Sequence, residues 1–308
     1  MQLADDLLAG NRRALARTIS LVEDSGAGAH AALAALYTHT GRSHVIGVTG
    51  APGTGKSTLV SALAKVYRAC GQTVGIIAVD PTSPFSGGAL LGDRVRMRDL
   101  AGDPGVFIRS MATRGSLGGL ARATADVILI LDAAGFDRIL VETVGVGQAE
   151  VEIASAAHTT IVVEAPGLGD DIQAIKAGIL EIADLFAINK ADREGADQVE
   201  REIEAMKSLA MPQGWDPPVL RTVAQQGTGI PELLVQLREH GRWLRKHGGL
   251  ARKARERARL RFDSLLAEAA LRRAKAQAGP ERLEAALQGI ADRTLDPYSA
   301  VAGILGEV

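Results

Sequence analysis

Gly50-Ala-Pro-Gly-Thr-Gly-Lys-Ser57 fits the pattern G-x-x-x-x-G-K-[ST], a loop that wraps backbone N–H groups around the phosphates of a nucleotide. Gly50, Gly53 and Gly55 let the backbone approach phosphate oxygens in conformations closed to other residues. Lys56 is the candidate to neutralise the β- and γ-phosphates, and Ser57 the candidate ligand of Mg²⁺. Thr54 and Thr58 complete the phosphate-facing stretch. The run His44–Thr49 ahead of the loop is short and apolar, and Thr58–Ala69 behind it has helical periodicity. The loop therefore joins a strand to a helix N-terminus, whose partial positive charge favours an anion.

Outward from the loop, strand-like runs alternate with helical ones: Val74–Val79, Val106–Ser110, Arg138–Thr143, Thr159–Glu164, Leu185–Asn189 and Pro218–Val223. That alternation predicts an α/β fold of the P-loop NTPase type, with a mostly parallel sheet flanked by helices. Three regions follow: a helical N-terminal arm over 1–42, a nucleotide-binding domain over 43–240, and a helical extension over 241–308. Gly26–Gly28 predicts a break of the arm into two helices, and Gly41 ends the second. Helices are predicted in the extension at about 250–278, 280–291 and 297–306, the second opened by Gly279-Pro280.

Asn189-Lys190-Ala191-Asp192 follows a strand-like run and matches N-K-x-D, a base-recognition loop. The Asp192 carboxylate can accept from N1–H and the exocyclic amine of guanine, whereas adenine would leave it unpaired. Asn189 is expected to help read the base edge and the Lys190 stem to cover the ring. Thr222-Val223-Ala224, after the last strand, is the candidate second guanine loop. Three acids are candidates for the metal shell: Asp80 at a strand end, Asp93 in Gly92-Asp93-Arg94-Val95-Arg96, and Glu142 at the head of Glu142-Thr-Val-Gly145. Mg²⁺ binds few protein carboxylates directly, so not all three can be ligands at once. Gly145 is placed to sense a γ-phosphate, and no glutamine follows it directly to orient attacking water. Slow hydrolysis until a partner completes the site is the expectation. Lys56, Asp80 and Glu142 are the catalytic candidates.

Composition narrows the setting. The chain has 308 residues, 46% of them apolar, a net charge of −1 and one cysteine, Cys70. No uncharged stretch reaches the ~18–20 residues of a membrane span; the greasiest, Val127–Phe136, carries Asp132. The acidic start Met1-Gln-Leu-Ala-Asp-Asp lacks a signal-peptide core, and a lone cysteine excludes an internal disulfide, so a cytoplasmic protein is expected. Aromatic content of 3% leaves little for base stacking. The basic run Arg242–Arg261 is accordingly read as a solvated helix face or subunit contact rather than a nucleic-acid site. His30, His39 and His44 lack metal-ligand spacing.

The ordered set Val45–Ser57, Val79-Asp-Pro-Thr-Ser-Pro-Phe-Ser-Gly-Gly88, Gly92–Met97, Ser110-Met-Ala-Thr-Arg-Gly115, Glu142–Gln148 and Asn189–Asp192 resembles the MeaB/ArgK/MMAA family of P-loop GTPases over nearly the whole chain. The resemblance implies a homodimeric chaperone that uses GTP and GDP with Mg²⁺ to gate cofactor loading of an adenosylcobalamin-dependent acyl-CoA mutase. It also implies slow hydrolysis alone and stimulation by the client. By the same resemblance Asp170, Gln173 and Lys176, assisted by Arg96, would relay nucleotide state to the mutase. Asp171 and Ala177 depart from the residues the family more often carries, which leaves open which acyl-CoA mutase is the client. The alternative within the fold is a GTPase that delivers a metal, which would need a cysteine/histidine cluster for its cargo.

Overall fold

A computed structural model describes residues 2–24, 26–80, 98–100, 102–112, 117–143, 154–167, 182–209 and 214–306. Seven strands form one sheet: β1 (His44–Thr49), β2 (Val74–Asp80), β3 (Val106–Ala112), β4 (Arg138–Glu142), β5 (Thr159–Glu164), β6 (Leu185–Asn189) and β7 (Val219–Thr222). Their order is β3-β2-β4-β1-β5-β6-β7, and every neighbouring pair is parallel. The expected parallel α/β sheet is thus the observed one.

Helices cover both faces because the strands are apolar on both. In β4, Ile139 and Val141 face one cluster and Leu140 the other, as the two-residue period of a strand dictates. On one face α1 (Gln2–Leu8), α2 (Arg12–Glu23), α3 (Ala29–Tyr37) and α5 (Leu117–Ala133) contribute Leu7, Ile19, Leu36 and Val127. On the other, α4 (Lys56–Ala69) and α7 (Ile230–Lys246) bring Leu59, Leu63, Leu233 and Leu237 against Ile46 and Val48. A third cluster packs α6 (Ala196–Leu209) on Val162 and Ile188. Each fully buried aliphatic side chain of this kind contributes ~1.5–3 kcal/mol.

The arm holds three helices where the sequence predicts two. Gly10 (φ +86°) ends α1, and Asn11 caps α2 by accepting through Oδ1 from the backbone N–H groups of Arg13 (2.9 Å) and Ala14 (3.1 Å). Arg12 and Arg109 anchor this arm to the edge strand β3. Arg12 donates to the carbonyls of Pro104 and Val106, and Arg109 pairs with Glu23. Backbone acceptors at a sheet edge are thereby covered. Helix α4 begins at Lys56, two residues ahead of the helical start predicted at Thr58.

Two compact units divide the chain, Met1–Leu250 and Ala251–Val308. Helix α7 passes through residues 240–241 within the first. In the second lie most of α8 (Gly249–Ala291), broken by non-helical backbone at Gly279 (φ +76°, ψ 161°), and α9 (Pro297–Leu305). Asp296 caps α9 through the N–H groups of Tyr298 and Ser299. Arg282 donates to the Gly303 carbonyl at 2.6 Å. No described helix is long and apolar enough to cross a membrane.

Candidate functional site

Parallel pairing brings every strand end to one edge. Val48 lies opposite Glu142, Ala78 opposite Glu142, Thr49 opposite Val162, and Asn189 opposite Thr222. Strand order reverses around β1, which has β4 on one side and β5 on the other; open α/β sheets form their ligand crevice at such a point. The loop Gly50–Ser57 leaves β1 there.

Gly50 takes φ +138°, and a Cβ on it would stand 2.1 Å from the Val163 carbonyl oxygen, so no other residue fits. Gly55 is left-handed (φ +92°), and a Cβ there would fall 2.4 Å from Asn189 Nδ2. As the N-cap of α4, Gly55 offers no side-chain acceptor to the first-turn N–H groups, which suits an anion in that position. Lys56, only 6% exposed, donates from Nζ to the carbonyls of Gly50 (2.7 Å) and Ala51 (3.0 Å). Its ammonium is therefore held within the loop rather than in solvent. Thr54 donates to Ala51 O at 2.9 Å and pins the turn.

Beside the loop, Ser57 Oγ donates to Glu142 Oε1 at 2.6 Å, and both side chains are buried. The strand period explains the pairing: Leu140 and Glu142 share the face on which α4 packs. Thr143 Oγ1 donates to Thr49 Oγ1 at 3.0 Å on the next position, a buried tie between β4 and β1 that the sequence did not announce. A hydroxyl and a buried carboxylate in contact at a phosphate loop form a hard-oxygen donor pair, which fits Mg²⁺. Among the described residues no group of three or more His, Cys, Asp or Glu side chains could hold a metal. The backbone of Asp80 ends β2 at the same edge. Asp93, Arg96, Gly145, Asp170, Gln173 and Lys176 lie outside the described residues, as does the side chain of Asp80.

Asn189 closes the other side. Its Nδ2 donates to Thr54 O at 2.9 Å, and its Oδ1 accepts from Ala224 N (3.0 Å) and Thr222 Oγ1 (3.3 Å). At 2% exposure its amide joins the phosphate loop to Thr222–Ala224. Lys190 takes φ +57° and donates from Nζ to Gly53 O at 2.6 Å, laying its stem between the two loops. Ala191 N donates to Thr222 O at 3.1 Å, while Asp192 stands exposed at the mouth. Val223 is bridged to Thr228, and Gly229 (φ +75°) has no room for a Cβ, which would meet Arg221 O at 2.1 Å. Gly227-Thr-Gly229 is the signal for that turn in the sequence.

Within α4, burial pushes the Tyr67 phenol up to about 12, partly offset by the Arg138 guanidinium 5.5 Å over its ring.

A family profile described as methylmalonyl-CoA mutase-associated GTPase MeaB matches residues 15–279. A provisionally named GTPase of Pyrococcus horikoshii is 49% identical over 100% of this chain and 98% of its own. The GTPase ArgK of Escherichia coli is 40% identical over 73% of this chain and 70% of its own. Among solved structures, a LAO/AO transport system kinase superposes with a TM-score of 0.73 at 27% identity, covering 99% of this chain and 96% of the other.

Proposed function

The chain belongs to the MeaB family of methylmalonyl-CoA mutase-associated GTPases, and from that premise we propose that it is a GTP-hydrolysing chaperone of an adenosylcobalamin-dependent acyl-CoA mutase. The observation that carries the nucleotide part is Asn189, which locks the phosphate loop and the Thr222–Ala224 loop into one cradle with Asp192 at its mouth. In that cradle the N–H groups at the start of α4 and the Lys56 ammonium bind the phosphates. The Asp192 carboxylate accepts from the guanine edge, while Thr222, Val223 and Ala224 back the base. Ser57 and Glu142 would hold Mg²⁺, with Asp80 and Asp93 as further candidates; the ion would supply neutralisation of phosphate charge. Glu142 keeps the Ser57 hydroxyl oriented, and Lys56 stabilises charge that develops on the transferred group.

The exposed apolar side chains of the second unit, among them Phe262, Leu266, Leu271 and Val301, favour a homodimer formed through α8 and α9. The relay to the mutase is assigned to Gly145 and to Asp170, Gln173 and Lys176 with Arg96. A net charge of −1 and the absence of a membrane-spanning helix among the described residues suit a cytoplasmic setting without nucleic-acid or bilayer partners.

GTP turnover with and without a purified cobalamin-dependent acyl-CoA mutase tests this reading. Turnover is expected to be slow alone and to rise on addition of the mutase, and Lys176→Ala to lose the increment while keeping the basal rate. A mutase that neither binds nor changes the rate would favour the metal-delivery GTPase instead.

A further inference from the structure

At the opposite edge of the sheet, four side chains from four elements stand in line. His44 opens β1, Thr159 opens β5, Asp184 directly precedes β6, and His240 lies on α7. His44 Nε2 is 2.8 Å from Thr159 Oγ1, which is 2.9 Å from His240 Nδ1; His240 Nε2 is 3.3 Å from Asp184 Oδ1. Thr159 and His240 are buried, at 0% and 1% exposure. The remaining Asp184 oxygen accepts from Thr160 N at 2.8 Å. Both tryptophans of the chain pack on His240, Trp215 at 4.9 Å and Trp243 at 6.0 Å between ring centroids. Helix α7 carries a glycine, Gly241, where a Cβ would come within 3.1 Å of His44 Cε1, so the ring can lie against the helix. A mid-helix glycine costs ~1 kcal/mol against alanine, and at this position it leaves room for the His44 ring.

We propose that His44, Thr159, His240 and Asp184 form a proton relay whose hydrogen-bond direction reverses on uptake of one proton, giving the base of the sheet a pH-sensitive joint. The direction follows from the donor inventory. Asp184 Oδ1 stands at ion-pair distance from His240 Nε2 without hydrogen-bond geometry, and its negative charge favours a hydrogen on Nε2 over a lone pair, so His240 Nε2 carries hydrogen. In the neutral ring Nδ1 then accepts, and Thr159 O–H must be its donor. The Thr159 oxygen in turn accepts from His44 Nε2–H. One proton arriving at His44 Nδ1 is balanced by two transfers: the His44 Nε2 proton passes to the Thr159 oxygen, and the Thr159 hydroxyl proton passes to His240 Nδ1. His240 ends as an imidazolium between Thr159 and Asp184, and His44 as the neutral Nδ1–H tautomer accepting from Thr159. Protonating both rings would set two like charges on either side of one hydroxyl, so the pair titrates as a coupled unit.

Further charged and titratable groups stand around the relay. His158 stands 5.8 Å from the His44 ring and accepts the Val45 N–H through Nδ1. On α7, the Arg245 guanidinium lies beside Gly241, and His247 Nδ1 is 2.9 Å from the Trp243 carbonyl oxygen beyond the tryptophans. Asp216, next to Trp215, is paired with Lys207 at 3.2 Å. The joint links α7 to β6, whose far ends carry the Gly229 turn and Asn189. Proton uptake at the base therefore acts on the two elements that frame the candidate base loop.

Long-range ¹⁵N–¹H spectroscopy of the full chain, labelled at histidine, reads each tautomer between about pH 8 and 5, the range in which imidazole titrates. His44 and His240 are both expected as Nε2–H tautomers at pH 8. On acidification, His240 becomes doubly protonated while His44 switches to Nδ1–H in the same step. Asp184→Asn is expected to lower that midpoint by at least one pH unit, a tenfold loss of proton affinity. An Nδ1–H tautomer of His240 at pH 8, or a His44 tautomer that stays fixed while His240 is protonated, would overturn the proposal. Both outcomes are read on the wild-type protein without nucleotide, so they are independent of its assignment as a GTPase.

Discussion

Ser57 Oγ and Glu142 Oε1 meet at 2.6 Å, joining the first turn of α4 to the end of β4 in a buried setting. The contact makes Glu142 the carboxylate that orients a hydroxyl at the phosphate loop, in a position set by the register of two parallel strands. Removing a residue that orients a metal ligand typically costs ~10–100-fold in metal affinity or activity. Glu142→Ala is expected to raise the Mg²⁺ concentration needed for half-maximal GTP turnover by about that factor, with a much smaller change in GDP binding without metal. Equal losses in both measurements would place Glu142 in the fold rather than at the ion.

Asn189 makes a different prediction because its amide is committed to protein partners. Asn189→Ala leaves the Thr54 carbonyl and the Ala224 N–H without their partner, at a cost of ~1–3 kcal/mol in cradle order. GDP and inosine diphosphate are both expected to bind roughly 5–150-fold more weakly, by the same factor for each. Titration calorimetry with the two nucleotides checks it; a loss confined to one of them would make Asn189 a direct reader of the base edge.

Much of this site was legible in the sequence, for physical reasons that differ by element. The phosphate loop is contiguous, so its glycines, Lys56 and Ser57 announce themselves together. The strands β1, β5 and β6 fall where apolar runs predicted them, because strands buried on both faces carry few polar interruptions. The break at Gly10–Asn11 was missed because a one-residue cap is a weak signal inside an alanine- and leucine-rich stretch. The Asn189 clip depends on the packing of β6 and β7 against the loop after β1, and no local pattern encodes it. The line His44–Thr159–His240–Asp184 is still less visible, since its members come from four segments that meet only when the sheet is assembled.

Alkaline pH offers a test of the packing behind α4. Tyr67 is held neutral by burial, its phenol pushed from 10.0 to about 12. The folded state therefore keeps a proton that the unfolded state loses, and stability falls as pH rises from about 10 to 12. Below pH 10 both states are protonated and the group adds no pH dependence. A two-unit shift corresponds to a loss of roughly 3 kcal/mol across that window. Denaturant titrations at pH 9, 10.5 and 12 are expected to follow this decline, and Tyr67→Phe to flatten it; an identical decline in the variant would assign it to other groups.

The edge built by Gly50–Ser57, Asn189 and Asp192 is proposed to select a guanine nucleotide. Titration calorimetry with GDP, ADP and XDP on the wild type and on Asp192→Asn tests it most directly. The wild type is predicted to prefer GDP over ADP by at least ~100-fold, as expected where a carboxylate would otherwise lose its partners. Asp192→Asn is predicted to weaken GDP and to gain relative affinity for XDP, whose 2-position is a carbonyl. Equal affinity of the wild type for GDP and ADP would rule out guanine selection at this edge.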